Sequence, residues 1–196
     1  MDLDERRIWL ARHGETEWAK ALRHTSHTDL PLTAHGEAEA VALGDVLRGH
    51  TFVLVLASPM RRATDTARLA GLGEVARIDP DLQEWDYGEF EGLLTSEIRE
   101  TYPGWTIWRG PWPGGETADE VTERADRILE RCTAPEVTGD TLLIAHGHLL
   151  RVLAARWLGL PAASGEVFGL GTATVSILGW DRDTRVIELW NAPCAP

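Results

Sequence analysis

Three apolar segments of this sequence are each followed directly by polar side chains that suit an anion. These side chains are Arg12 and His13 after RIWLA (7–11), Ser58, Arg61 and Arg62 after TFVLVLA (51–57), and His146 and His148 after TLLIA (141–145). Arginine presents paired N–H donors to phosphate oxygens, and the first turn of a helix adds peptide N–H donors. A set with two arginine positions and several imidazoles therefore predicts a site for a phosphoryl group.

The segments around these side chains alternate between strand and helix patterns. Strands are predicted at 7–11, 51–58 and 141–146, with a weaker strand at 75–78 and a closing hairpin of 174–181 and 184–190. Helices are predicted at 33–49, 59–71, 95–101, 117–132 and 147–160. The alternation predicts an α/β fold, a three-layer sandwich whose mostly parallel sheet carries helices on both faces. Ligands of such sheets bind outside the carboxyl ends of the strands, so the polar residues are expected to share one crevice.

The segment 81–116 fits neither the helix period nor the strand period, apart from the short helix, and is predicted to form a loop or lid over the site. Its first part, DLQEWDYGEFEG, is aromatic and acidic, and its last part is rich in Trp, Pro and Gly. The rim of Trp105, Trp108 and Trp112 is explained equally well by core packing and by contact with an apolar or ring-shaped leaving group.

Composition limits the class of protein and its partners. The 196 residues favour one domain over 1–196, since a usual domain has about 100–200 residues. A hydrophobic fraction of 43% is enough for a folded core. With 19 Lys and Arg against 31 Asp and Glu, the net charge of −12 opposes attraction to nucleic acid and to anionic membranes. Neither is expected as a partner, and an anion site must concentrate its arginines inside a cleft.

Cysteine content and the start of the chain bear on its compartment. Cys132 and Cys194 are too few for a disulfide framework or a four-thiolate zinc site, so two reduced thiols are expected. The first residues lack an apolar signal core, and no apolar run approaches about 18 residues. These features predict a cytoplasmic protein. A homodimer through the C-terminal strands or the Trp-rich segment stays open beside a monomer.

Six blocks of the sequence carry a family resemblance. They are LARHGETEW (10–18), TDLPLTAHGEAEA (28–40), SPMRRATDTA (58–67), EWDYGEFEG (84–92), GGET (114–117) and LIAHGHLLR (143–151). In this order they resemble the histidine phosphatase superfamily, also called phosphoglycerate mutase-like, and within it the small acid phosphatases and sugar-phosphate phosphatases. The resemblance implies hydrolysis of a small phosphorylated metabolite, a sugar phosphate or a related compound, without a metal or other cofactor.

The resemblance also implies catalytic roles for five residues. His13 would attack phosphorus and form a phosphohistidine, with its other ring nitrogen held by an acceptor that we expect to be backbone. Arg12, Arg62 and His146 would surround the phosphoryl group and neutralise its charge. Glu84 would protonate the leaving oxygen and then activate water. Because Glu84 must begin protonated, an acidic pH optimum or a raised pKa for this carboxyl is expected.

Further positions match the family near the bound substrate. These substrate-binding candidates are Arg23, Thr25, Ser26, Glu116, Thr117 and His148. Arg62 is preferred to Arg61 as the catalytic arginine because the family's arginine immediately precedes an alanine.

Alternatives remain beside simple hydrolysis. Ala19 stands where mutases of the family usually have asparagine, and 93–116 is shorter than their basic insertion, which weakens a phosphoglycerate-type mutase. A phosphate-binding regulatory module with little turnover is the alternative from another class. His24 and His27, with His146 and His148, invite a zinc site. No carboxylate or thiolate stands beside either pair, so no metal site is expected.

Overall fold

The apolar runs form the strands of a six-stranded sheet in the computed structural model, which describes residues 6–194. The strands are β1 (Ile8–Arg12), β2 (Leu54–Ala57), β3 (Arg77–Ile78), β4 (Thr141–Ala145), β5 (Thr174–Asp181) and β6 (Thr184–Pro193). Their order across the sheet is β3-β2-β4-β1-β5-β6. The first four strands are parallel, whereas β5 pairs antiparallel with both β1 and β6.

Helices cover both faces of this sheet. They are α1 (Glu17–Lys20), α2 (Ala34–Leu47), α3 (Arg61–Leu69), α4 (Thr95–Thr101), α5 (Ala118–Thr133) and α6 (Gly147–Trp157). Short 3₁₀ turns lie at Pro80–Leu82, Gly88–Phe90 and Ala162–Val167. Successive strand residues point to opposite faces. In β1, Leu10 packs into the core under α5 and α6, while Trp9 packs into the core under α2 and α3. The predicted α/β three-layer sandwich is confirmed.

The parallel register brings the ends of three strands together. Arg12 is paired with Ala145, and the His13 N–H donates to the Ala145 carbonyl at 3.0 Å. The Ser58 N–H donates to the Ile144 carbonyl, also at 3.0 Å. The residues that follow β1, β2 and β4 therefore start from neighbouring points on one sheet edge.

The loop after β1 rests on the first turn of α2 through two glycines. A Cβ on Gly14 would overlap the Gly36 carbonyl, and a Cβ on Gly36 would overlap the backbone of Glu15. The two backbones thus touch where no side chain fits, which fixes the height of the loop above the sheet edge.

Several predicted boundaries differ from those observed. The strand expected at 51–58 begins only at Leu54, because the chain before it is held by a single bond from the Val53 N–H to the Asp140 carbonyl. The helix expected at 33–49 ends at Leu47, and Gly49 turns the chain away with a φ of 89°. Helix α1 was not predicted. Residues 1–5 and 195–196, which belong to the predicted domain, lie outside the described residues, so one domain over 1–196 stays a proposal.

The predicted lid segment, 81–116, is built from α4, the 3₁₀ turn at Gly88–Phe90 and irregular loops. Gly88, with a φ of 54°, lies where a Cβ would overlap the backbone at Pro113 and Gly115. The two ends of the segment are thereby clamped to each other. Within residues 6–194, no helix is long and apolar enough to cross a membrane.

Candidate active site

A cavity of about 330 Å³ opens at the carboxyl ends of the parallel strands. Of the residues predicted from the sequence, six line this cavity, namely Arg12, His13, Arg23, Thr25, Glu84 and His148. Arg62 and His146 lie directly behind it, with the His146 ring centroid 5.1 Å from that of His13. The crevice expected from the strand ends is therefore present.

His13 lies at the base of the cavity with only 5% of its surface exposed. Its Nδ1 is 2.7 Å from the Gly14 carbonyl oxygen. A carbonyl can only accept, so Nδ1 carries the ring proton and Nε2 keeps a lone pair in the neutral ring. Burial, and then the charges of Arg62 and Arg12, lower the pKa of His13 well below 6.5. The imidazole is consequently unprotonated at neutral pH, with a lone pair on Nε2.

Arg12 supplies donors that the protein leaves unused. One Nη1–H bonds the Leu170 carbonyl at 2.7 Å, whereas Nε is buried without a partner among the described residues. A buried guanidinium N–H without an acceptor costs free energy, which an anion in the cavity would recover.

Arg62 is completely buried and acts on the site from behind. Its Nε donates to His146 Nδ1 at 3.1 Å, and its Nη atoms donate to the carbonyls of Ser26 at 3.0 Å and Thr28 at 3.1 Å. Since His146 Nδ1 accepts, the neutral ring carries its proton on Nε2, which lies 2.7 Å from Ser58 Oγ. Burial and then Arg62 lower the pKa of His146 well below 6.5. This cluster is rigid and its imidazole is uncharged.

The Glu84 carboxyl is fixed by the first turn of α6. Oε1 accepts from the N–H groups of Trp85 at 2.9 Å and Leu149 at 2.8 Å, and Oε2 accepts from the His148 N–H at 2.9 Å. The N–H groups of His148 and Leu149 belong to the first turn of α6, where a carboxylate is favoured.

Among the other substrate-binding candidates, Arg23 lines the cavity, whereas Ser26, Glu116 and Thr117 do not. Arg23 lines the cavity while its Nη1 donates to the Gly92 carbonyl at 2.7 Å. Ser26 is buried, and its carbonyl holds Arg62. Glu116 pairs with Arg124 at 2.6 Å, and Thr117 caps α5 by accepting from the Glu120 N–H. The structure does not bring Glu116 and Thr117 to this cavity.

Arg61 and the histidine pair of the zinc alternative have other partners. Arg61 is exposed and pairs with Asp65 at 3.2 Å. His24 Nε2 lies 3.2 Å from Thr95 Oγ1, whereas His27 faces Asp86 at 3.1 Å. The two imidazoles are thus committed to different neighbours.

The tryptophans of the predicted rim pack inside the protein. Trp105 and Trp108 are 3% and 6% exposed, and Trp112 stacks on Trp85 with ring centroids 6.1 Å apart. None of the three lines the cavity. Core packing, one of the two readings of the sequence, accounts for them.

Two residues of the EWDYGEFEG block were missed as site residues. Tyr87 is buried and lines the cavity, with its hydroxyl 2.6 Å from His148 Nδ1. Glu91 accepts from the Ser26 N–H and Oγ and from the Thr28 N–H, at 2.8–3.0 Å, and so shapes the loop that holds Arg62. Their place within a matched block was the available signal.

Comparison with known proteins agrees with this geometry. The profile of the histidine phosphatase superfamily (branch 1) matches residues 8–193. The chain belongs to the histidine phosphatase superfamily. This histidine phosphatase is 39% identical over 192 residues to an acid phosphatase of Mycobacterium tuberculosis, covering 96% of this chain and 94% of the relative. The predicted family and the enzyme class, a phosphatase, are confirmed.

Two further similarities concern the fold and the relatives. A solved structure of an open reading frame from Mycobacterium tuberculosis superposes on this histidine phosphatase with a TM-score of 0.93 and 38% identity, covering 97% of this chain and 99% of that one. A sedoheptulose 1,7-bisphosphatase of Saccharomyces cerevisiae is 35% identical over 184 residues, covering 79% of this chain and 68% of the relative.

Proposed function

We propose that this phosphatase hydrolyses small sugar phosphates without a metal ion, through a phosphohistidine formed on His13. The observation that carries the proposal is the buried, neutral His13, whose Nδ1 is held by the Gly14 carbonyl. That contact leaves Nε2 as the nucleophile, close to Arg12, whose Nε–H has no acceptor among the described residues. A fixed nucleophile and waiting donors are what phosphoryl transfer requires, because its catalysis is mainly positioning and charge stabilisation.

In the first step His13 Nε2 forms a bond to phosphorus as the bond from phosphorus to the ester oxygen breaks. Glu84 gives its proton to that leaving oxygen. In the second step Glu84 removes a proton from water, whose oxygen attacks phosphorus and displaces His13. The products are the alcohol and inorganic phosphate, and both residues return to their starting states.

The residues around the cavity divide into two named ends. We call Arg12, His13, Arg62 and His146 the phosphoryl end, and His24, Tyr87, Thr95 and His148 the leaving-group end. At the phosphoryl end, the two guanidinium groups balance the charge of the equatorial oxygens. Arg23 and Thr25 also line the cavity and would contact the leaving group.

A small sugar phosphate fits the size of the cavity and the names of relatives. The volume of about 330 Å³ is at the lower end of the range for ligand sites, roughly 300–1,000 Å³. A relative at 35% identity is named for a sugar bisphosphate. Both observations favour a small phosphorylated metabolite over a protein substrate.

Location and assembly are part of the proposal. We place the enzyme in the cytoplasm, supported by two unpaired, buried thiols, Cys132 and Cys194. Subcellular fractionation tests this. A homodimer stays open beside a monomer, and sedimentation equilibrium distinguishes the two by mass.

The decisive experiment compares the wild-type enzyme with His13→Ala and with the exposed control His35→Ala. With an aryl phosphate and a chelator present, His13→Ala should lose turnover by at least about 1,000-fold, while the control retains it. Radiolabelled substrate quenched in base should leave label on the wild-type chain at His13 only. Full activity in His13→Ala would overturn the proposed nucleophile. Label recovered in an isomerised product instead of free phosphate would identify a mutase. Binding of the substrate without turnover would identify a regulatory module.

A further inference from the structure

Tyr87 and His148 form a part-buried hydrogen-bonded pair in the lining of the cavity. The Tyr87 hydroxyl lies 2.6 Å from His148 Nδ1, and Tyr87 is only 2% exposed. Burial raises the pKa of Tyr87 well above 10, so the phenol keeps its hydrogen. Among residues 6–194 this hydroxyl has no other hydrogen-bond partner, so the hydrogen is donated to Nδ1.

This contact determines which nitrogen of His148 carries a proton. Burial, and then the charge of Arg151, lower the pKa of His148 well below 6.5, so the ring is neutral. A neutral ring whose Nδ1 accepts must carry its proton on Nε2. No residue of the described chain accepts from Nε2, and the side chain lines the cavity. The Nε2–H is thus a donor open to a ligand.

Tyr87 is needed for this tautomer because of where the ring lies. His148 Nδ1 is only 3.9 Å from Glu84 Oε2, the carboxyl oxygen that also accepts the His148 backbone N–H. A carboxylate at that distance favours a proton on Nδ1. The phenol opposes this effect by donating to the same nitrogen, and so keeps the proton on the cavity side of the ring.

Aromatic neighbours prevent the ring from turning over. The Trp108 ring lies 5.2 Å from that of His148, and the rings of Tyr87 and His24 lie 5.8 Å and 6.0 Å from it. The imidazole is therefore held in one orientation beside the carboxyl that protonates the leaving oxygen.

We propose that His148 Nε2–H binds an oxygen of the leaving group close to the ester oxygen, and that Tyr87 is the positioning residue that presents this donor. The inference rests on the proposed function and narrows its substrate class. The favoured substrates are phosphate esters of polyols or sugars, with a hydroxyl or ring oxygen near the esterified carbon. Simple alkyl phosphates leave the buried donor unpaired and are disfavoured.

The test compares kcat/KM for glycerol 1-phosphate with kcat/KM for propyl phosphate, which lacks the hydroxyls. The wild-type enzyme should prefer glycerol 1-phosphate by about 10-fold or more, the equivalent of one hydrogen bond. His148→Leu should reduce this ratio to near 1. His148→Gln, whose amide can place an N–H near the position of Nε2, should retain most of the preference. Tyr87→Phe should give an intermediate ratio. The His148 ring stays in place, but its proton is no longer confined to Nε2.

Tyr102→Phe is the matched control, because the other tyrosine of the chain packs on Phe90 and does not line the cavity. It should keep the wild-type ratio. The ratio is measured within each variant, so differences in the amount of folded protein cancel. An unchanged ratio in both His148→Leu and Tyr87→Phe, or a wild-type ratio near 1, would overturn the inference. Failure of the proposed function looks different, as a wild-type enzyme that neither hydrolyses aryl phosphate nor becomes labelled at His13.

Discussion

The phosphoryl end and the leaving-group end of the cavity are built from different parts of the fold. At the phosphoryl end, the side chains follow β1 and β4 or lie in the first turn of α3, so the register of the sheet sets their positions. At the leaving-group end, two side chains come from loops and two from the first turns of α4 and α6, and the polar contacts are between neutral groups such as Tyr87 and His148. Under the proposed function, reaction chemistry and substrate choice are carried by separable structures. Changes at the phosphoryl end should affect all substrates alike, and changes at the leaving-group end should affect the ratio between substrates.

Among the variants that compare the two ends of the cavity, the largest effect is expected for Arg62→Lys. A lysine cannot donate at once to His146 Nδ1 and to the carbonyls of Ser26 and Thr28, as the guanidinium does. We expect kcat to fall by about 100-fold or more for aryl and sugar phosphates equally. The control is the exposed neighbour, Arg61→Lys, which should behave as wild type. A loss of kcat with only one of the two substrates would contradict the assignment of Arg62 to the phosphoryl end.

Acid should destabilise the protein through imidazoles at both ends. Burial lowers the pKa of His13, His146 and His148 well below 6.5, and that of His24 to about 4. The unfolded chain, with histidine pKa values near 6.5, therefore binds more protons than the native state as the pH falls. Each imidazole should lower the free energy of unfolding by up to about 1.4 kcal/mol per pH unit below pH 6.5.

Urea denaturation between pH 7 and 5.5 measures this slope. His148→Gln removes one imidazole of the leaving-group end and should reduce the slope of the free energy of unfolding against pH by up to about 1.4 kcal/mol per pH unit. A free energy of unfolding that stays constant across this interval would contradict buried, neutral imidazoles.

Glu91→Gln should have a smaller effect that belongs to the phosphoryl end. One carboxylate oxygen would become an amide N–H₂ facing the donors of Ser26 or Thr28, and the loop that holds Arg62 would shift. We expect kcat to fall by about 10-fold on all substrates and the free energy of unfolding to fall by about 1–3 kcal/mol. Glu89→Gln, exposed in the same segment, serves as the control. If the substrate ratio changes instead, Glu91 acts on the leaving-group end.

The smallest effect is expected for Thr95→Val. This change keeps the shape of the side chain but removes the hydroxyl 3.2 Å from His24 Nε2. We expect KM for glycerol 1-phosphate to rise by about 3-fold, with little change in kcat on aryl phosphate. Thr101→Val, at the exposed end of α4, is the comparison variant. Equal losses on both substrates would remove the distinction between the two ends.

The same division explains what the sequence could predict. Arg12, His13 and His146 follow apolar runs whose strand character is plain, and parallel pairing then brings them together. The family resemblance added Glu84 as a candidate and favoured Arg62 over Arg61, both of which follow the second strand. The three-layer fold followed from the alternation of strands and helices.

The contacts of the leaving-group end could not be predicted in this way. Tyr87 reaches His148 only because the segment around it is clamped at Gly88 to the backbone of Gly115, a contact without a sequence period. The four-residue helix α1 is too short to show a pattern. Glu116 matched a family block, yet its carboxylate is taken up by Arg124, a contact set by tertiary packing.

The contact between Gly14 and Gly36 has a consequence for mutational tolerance. Neither glycine carries a reactive atom, and the second belongs to a helix that contributes nothing to the cavity lining. Any larger residue at either position would nevertheless push the loop after β1, which carries His13, away from α2. In a saturation library both positions should therefore reject even alanine. A larger residue at one position could not be compensated by a smaller residue at the other, because both are already glycine.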